Sequence, residues 1–187
     1  CRFNGEMFME TAIKVYLHYG IKVYFAKNFV STPMVSMGAR NYKNDIGVVL
    51  TASHNPPNYG GYKLKSKFGG PLGPDMVQEV EDLIPNEIDL SILEMDLQKA
   101  IDEKRLIEVD LETEYIDAVK ESFDLDVIKK SGMRFAYDAM YGAGQGVMKK
   151  LFPEIDLLHC EYNPSFMGQA PEPIAKNLQD LETFIKQ

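Results

Sequence analysis

An α/β fold, with mixed sheets flanked by helices, is what this sequence of 187 residues predicts. Three observations carry the prediction. Short apolar, β-branched runs alternate with stretches of helical periodicity, the pattern of a sheet covered by helices. One such run, Gly47-Val48-Val49-Leu50, stops abruptly at a polar loop, Thr51-Ala52-Ser53-His54-Asn55-Pro56-Pro57. Neither proline can donate to a strand ladder, so the strand cannot continue through them. The alternation then restarts near residue 109, so two units are expected, 1–108 and 109–187, the second incomplete.

The elements follow in order. Asn4 is the expected N-cap of a first helix, whose apolar pairs Phe8/Met9, Ala12/Ile13 and Tyr16/Leu17 form one stripe. Gly20 closes it at the C′ position. Residues 21–26 read as a short strand. Thr32-Pro33 joins a cap to a first-turn proline and opens a helix to about Arg40. After the strand that ends at Ser53, Pro74 precedes Met76, Val77, Val80, Leu83 and Ile84, an amphipathic helix closed by Pro85. Residues 86–108 are acidic, with a helix expected over 95–103. A clearer helix covers 111–123, with Leu111, Tyr115, Ala118, Val119 and Ser122 on one face. Then come a strand (133–139), a helix (144–151), a strand (157–160) and a helix (173–186). No short-period repeat and no low-complexity tract interrupts them.

Composition narrows the function classes. Apolar residues make up 45% and charged residues 26%, ordinary for a soluble globular chain. A net charge of −8 argues against non-specific nucleic-acid or anionic-membrane binding. No run approaches the roughly 20 apolar residues of a membrane span, and no signal segment opens the chain. Cys1 and Cys160 are expected to be free thiols in a reducing, cytoplasmic compartment. The chain starts at Cys1 and runs straight into a helix pattern, which reads as a piece of a longer polypeptide.

The strand-end loop holds the chemistry. A serine hydroxyl is a weak nucleophile unless a base activates it or it carries a transferable group. A hydrolase triad would ask for a Gly-x-Ser-x-Gly elbow, which is absent, and His54 beside Ser53 is an awkward general base. A phosphoserine would instead need donors and cations close by. The plain alternative is a tight turn whose Ser53 and Asn55 satisfy backbone groups. Downstream, Lys63, Lys65 and Lys67 alternate, so a strand would place all three on one face and Tyr62, Leu64 and Phe68 on the other. Such a stripe could face a phosphate or simply guard an edge strand.

The run Thr51 to Pro57 resembles the phosphoserine loop of the α-D-phosphohexomutases, the phosphoglucomutase and phosphomannomutase enzymes. The resemblance implies that Ser53 carries the phosphoryl group, that His54 and Asn55 shape its pocket, and that Lys63 is the family's active-site lysine. Arg2, before Phe3-Asn4-Gly5, resembles the arginine of an Asp-x-Arg segment that faces the active site, which implies a phosphate contact. One departure stands out: Tyr59-Gly60-Gly61-Tyr62-Lys63 has Gly60 where the family usually has asparagine, which loosens that turn. In the second unit, Asp138-Ala139-Met140-Tyr141-Gly142-Ala143-Gly144 resembles the family's strand-to-helix turn. Phe166-Met167-Gly168-Gln169-Ala170-Pro171-Glu172-Pro173 with Asn177-Leu178 resembles its Phe-x-Gly…Pro-Glu-Pro…Asn-Leu signature. The glycines at 142, 144 and 146 have the wrong spacing for a dinucleotide loop and read as tight-turn and close-packing residues.

On this resemblance the expected fold is two incomplete phosphohexomutase-type α/β domains, the first lacking its N-terminal strand and loop. The implied reaction interconverts hexose 1-phosphate and hexose 6-phosphate, of glucose or mannose, through a bisphosphorylated intermediate. Glucose 1,6-bisphosphate or mannose 1,6-bisphosphate would be the activator. Mg²⁺ would bridge the phosphate on Ser53 to an Asp-Gly-Asp-x-Asp-Arg loop that this chain does not contain. The chain alone is therefore expected to be inactive, with a phosphorylated hexose as the partner of the whole protein. A non-catalytic phosphosugar-binding module is the alternative, with a serine hydrolase behind it. Uncovered apolar edges lead us to expect a non-native dimer of the isolated chain.

Overall fold

The computed structural model describes all of residues 1–187. Helix α1 (Gly5–His18) buries Ile13 and Leu17. They pack with Ala100 and Leu106, flanked by Met9, Val23 and Phe25. The helix stops where its glycine predicts. Gly20 takes φ +76°, and the amides of Gly20 and Ile21 donate to the carbonyls of Leu17 and Tyr16. A left-handed residue at C′ thus satisfies the orphan carbonyls of the last turn. The start differs from expectation, because Asn4 sits in the left-handed region and its side chain caps no amide. At α2 (Thr32–Asn41), Ser31 rather than Thr32 holds the N-cap position, with Pro33 in the first turn.

The strands form three two-stranded sheets. β1 (Val23–Ala26) runs parallel to β4 (Leu106–Val109), with Val23 opposite Leu106. β2 (Ile46–Leu50) runs antiparallel to β3 (Tyr62–Ser66), with Val49 opposite Lys63 and Gly47 opposite Lys65. β5 (Ala136–Asp138) runs parallel to β6 (Asp156–Leu158). β1 and β2 do not pair with each other. Each keeps one edge unpaired, and every residue of both lines a common cleft of about 1380 Å³.

Several elements depart from the sequence reading for physical reasons. β4 is absent from that reading: four residues interrupted by Glu108 have no strong periodicity, and their extended form comes from pairing with β1. β5 and β6 are three residues each, shorter than expected, because the ladder extends only as far as its partner. β3 ends at Ser66, so Lys67 leaves the stripe and stacks on the Phe68 ring in the following turn. In the acidic stretch the expected 95–103 helix is α4 (Leu97–Asp102), preceded by an unforeseen 3₁₀ turn (Leu90–Glu94), while α3 (Pro74–Asp82) ends before Leu83 and Ile84. The expected 173–186 helix is a 3₁₀ turn (Ala175–Asn177) followed by α8 (Gln179–Ile185). Asn177 turns inward and donates to the carbonyls of Ala170 and Glu172.

Helices α5 (Leu111–Ser122), α6 (Leu125–Lys129) and α7 (Gln145–Leu151) complete the chain. On α5 the buried residues are Leu111 and Ile116, and the expected Ser122 is exposed. One cluster joins Met34 of α2, Leu111 and Ile116 of α5, and Val147 and Leu151 of α7. The two halves therefore share apolar packing. A Cβ at Gly38 would lie 2.7 Å from Cδ2 of Leu111, so any larger residue at this crossing forces the Leu111 side chain to shift. Tyr42 closes the seam by donating its hydroxyl to the Glu114 carboxylate.

Candidate active site

β2 carries Ser53 to the mouth of the cleft, three residues past its last paired position. Ser53 takes φ +53°, a left-handed conformation that L-residues with a side chain avoid. Strain of this kind persists only where neighbours over-determine the backbone. Here they do. The Ser53 amide donates to Oγ1 of Thr51 at 3.2 Å, and the Asn55 amide to the Ala52 carbonyl at 3.0 Å. Ala52 beneath is buried while Ser53, His54 and Asn55 are exposed. The hydroxyl is thus displayed, not consumed by a turn.

Arg2 supplies the strongest tie. Its Nη2 donates to the carbonyls of Ser53 (2.7 Å) and Asn55 (2.9 Å). Its Nη1 donates to the carbonyls of Pro56 (2.9 Å) and Tyr59 (3.2 Å). The guanidinium also lies 5.2 Å from the centroid of the Phe166 ring. Burial lowers the Arg2 guanidinium from its ordinary value. A partly buried cation whose hydrogen bonds all go to carbonyls leaves positive charge beside Ser53. No carboxylate lies within ion-pair distance of Arg2, Lys63 or Lys65.

The structure brings Arg2, Ser53 and Asn55 together and leaves Lys63 on β3, opposite Val49. Lys63 is exposed and outside the cleft wall. His54 Nδ1 stands 3.4 Å from Ser53 Oγ, at the long limit of a hydrogen bond, and no carboxylate orients its ring. That arrangement lacks the base and orienting acid a serine hydrolase requires. Of the paired glycines, Gly61 is the constrained one. A Cβ there would lie 2.5 Å from the Thr51 carbonyl oxygen, whereas Gly60 faces open space.

The far wall of the cleft belongs to the second unit. Asp138 ends β5 with its side chain 3% exposed, and its Oδ1 accepts from the Met140 amide (2.8 Å) and His159 Nδ1 (2.9 Å). Asp138 Oδ2 has no partner. His159 Nε2 reaches Asp180 on α8 at 3.4 Å. Met140, Tyr141 and His159 are all left-handed. Gly144 is required by packing, since a Cβ there would meet the Tyr137 hydroxyl. The sequence singles out Asp138 only as part of a turn, and His159 not at all, because a lone histidine after a short strand gives no periodic signal.

No group of three or more His, Cys, Asp or Glu side chains in the chain could hold a metal ion. No helix is long and apolar enough to cross a membrane. Both cysteines are free.

Comparison with known proteins identifies the family. The family model described as phosphoglucomutase/phosphomannomutase, alpha/beta/alpha domain I, matches residues 1–90. The model for alpha/beta/alpha domain II of the same family matches residues 113–187. A phosphoglucomutase of Neisseria meningitidis serogroup A is 32% identical over 99% of this chain and 38% of its own length. A phosphoglucosamine mutase of Methanococcus aeolicus is 29% identical over 99% of this chain and 39% of its own. A crystal structure from Thermus thermophilus, of a protein described as a phosphomannomutase, superposes with a TM-score of 0.86 at 32% identity. The match covers 98% of this chain and 41% of that one. The chain thus spans less than half the length of the relatives it matches. With both domain models matched in order, the chain belongs to the phosphoglucomutase/phosphomannomutase family.

Proposed function

We propose that this chain is part of a phosphohexomutase that interconverts hexose 1-phosphate and hexose 6-phosphate, with Ser53 as the phosphoryl carrier. The observation that carries the reading is Ser53 itself: exposed, held left-handed at a strand end, and flanked by a cation without a carboxylate partner. A phosphate on Oγ would bring nearly two negative charges to a place where positive potential already stands. Family membership supports the same assignment.

The transfer needs positioning and charge neutralisation more than covalent chemistry from the protein. The hydroxyl of a bound sugar monophosphate attacks the phosphorus on Ser53 Oγ. The P–Oγ bond breaks, the new P–O bond forms on the sugar, and the sugar hydroxyl's proton passes by way of a base to the leaving Ser53 Oγ, which returns to a hydroxyl. The bisphosphorylated sugar then returns its other phosphoryl group to Ser53. Lys63 is proposed to help with that proton and with phosphate charge, which requires it to approach from β3 once substrate binds. His54 and Asn55 shape the approach. The reading extends to a glucose or mannose bisphosphate as activator. Mg²⁺ is proposed only for the whole protein, on donors outside this chain.

Intact-mass analysis of the purified chain tests the carrier role. One added phosphate, mapped to Ser53 and lost in Ser53→Ala, supports it. In the whole protein, Ser53→Ala is expected to cut interconversion of glucose 1-phosphate and glucose 6-phosphate by on the order of 10⁴-fold or more. Full-speed isomerisation by that variant would overturn the proposal. The chain alone is expected to show no turnover.

A further inference from the structure

We infer that Arg2 and Phe166 form a tether through which the second unit fixes the shape of the serine loop, Arg2 acting as a positioning residue. All four terminal Nη hydrogens of Arg2 have partners, and every partner is a carbonyl of the loop between Ser53 and Tyr59. Those bonds are made across more than fifty residues of chain, so they fix tertiary geometry, not a local turn. Engaged this way, the terminal nitrogens have no donor left for a phosphate, although the positive charge remains beside Ser53. Planar, forked donation is what a guanidinium offers and an ammonium lacks.

The remaining face of Arg2 rests on Phe166, and the structure goes to some lengths to place that ring. Phe166 is 2% exposed yet belongs to neither apolar cluster. Phe166 and Met167 are left-handed at φ +52° and +51°, and Gly168 follows at +78°. Three successive residues in that region are costly for a chain with side chains. Asn163 Oδ1 holds the turn by accepting from the amide and hydroxyl of Ser165 (3.1 and 2.8 Å) and from the Met167 amide (3.4 Å). Downstream, Gln169 Nε2 donates to the Asn177 carbonyl, while Asn177 Nδ2 donates back to Ala170 and Glu172. The Phe-x-Gly…Pro-Glu-Pro…Asn stretch is therefore a brace whose product is one aromatic face under Arg2.

Strain at two places is thus bridged by one side chain: Ser53 on one side, Phe166 on the other. Loosening the Phe166 turn frees the guanidinium, and the loop carbonyls lose their common donor. The consequence for phosphoryl transfer rests on the carrier reading of Ser53; the tether itself does not.

Hydrogen–deuterium exchange of the full 187-residue chain tests it. The amides of Ser53, Asn55 and Tyr59 are the reporters, since each is hydrogen-bonded within the loop. Arg2→Lys and Phe166→Leu are each expected to speed their exchange about tenfold, the effect of about 1.4 kcal/mol, while amides in α5 keep their protection. Phe166→Tyr, which keeps the aromatic face, is expected to restore slow exchange. The double variant Arg2→Lys/Phe166→Leu is expected to be no faster than either single one, because both break the same unit. Unchanged loop exchange in Phe166→Leu, or a Phe166→Tyr variant as fast as it, would overturn the tether. So would additive acceleration in the double variant. Interconversion of glucose 1-phosphate and glucose 6-phosphate by the whole protein keeps the two readings apart. A Ser53→Ala variant of the whole protein at full speed, beside this exchange pattern in the chain, overturns the carrier role and leaves the tether standing.

Discussion

Two strand-end turns face the same cleft, and they use the same backbone conformation for opposite ends. After β2, Ser53 goes left-handed and its polar side chain is left in solvent. After β5, Met140 and Tyr141 go left-handed and the acid before them, Asp138, is buried against His159. The first turn is tied from outside, by Arg2 reaching its carbonyls. The second is tied from within, by its own carboxylate capping the Met140 amide. A turn whose polar group is buried and partnered serves the fold. A turn whose polar group is displayed, with its backbone held by others, is free to serve chemistry.

The largest expected effect separates them on stability. Asp138→Ala removes a buried carboxylate and strands both His159 and the Met140 amide, at a cost of about 3 kcal/mol by urea unfolding. A loss as small as that of an exposed substitution would show that the second turn is not self-supporting.

A sharper distinction comes from alkaline pH. Burial first, then the charges of Cys160 and Asp138, raise Tyr137 above the ordinary tyrosine value. Tyr141 is raised too, by burial and then by Glu161, Asp138 and Asp180. A raised folded pKa means that stability is fully present below the unfolded value of about 10 and is lost as pH rises through the folded value. A pH above about 10 is therefore expected to weaken the second turn, alongside Tyr42 and Tyr62, whose hydroxyls are raised further. Tyr137→Phe is expected to flatten the alkaline decline, measured as urea midpoint against pH, with less than about 1 kcal/mol of change at neutral pH. An unchanged slope would move the alkaline weakness elsewhere.

The smallest effect is the most telling. Ser53→Ala is expected to change stability by no more than about 0.5 kcal/mol, although it removes the proposed phosphate acceptor altogether. A destabilisation comparable to that of Asp138→Ala, read in the same urea series, would erase the contrast and return Ser53 to a structural role.

Much of this was legible in the residues. Gly20 as the end of α1 and Pro33 and Pro74 as first-turn residues follow from local backbone rules, whereas β2 already ends at Leu50, ahead of Pro56 and Pro57. Arg2, Ser53 and Asn55 could be named as a set because loop chemistry and a family resemblance pointed to the same place. The geometry of Arg2 could not be read, since its partners lie more than fifty residues away and are carbonyls, which every residue has. Phe166 stood in a motif, but nothing local says that its ring supports a guanidinium.

Local chemistry therefore determined where α1 ends, where α2 and α3 begin, that the fold is α/β, and which hydroxyl stands at a strand end. Steric limits on glycine and proline, and the periods of helix and strand, act within a few residues and need no partner. Tertiary structure alone decided that 106–109 is a strand, that α2, α5 and α7 share one core, and that Asp138 is buried while Ser53 is not. Those outcomes depend on which distant groups arrive to pair, pack or exclude water, and no stretch of sequence carries its partner with it.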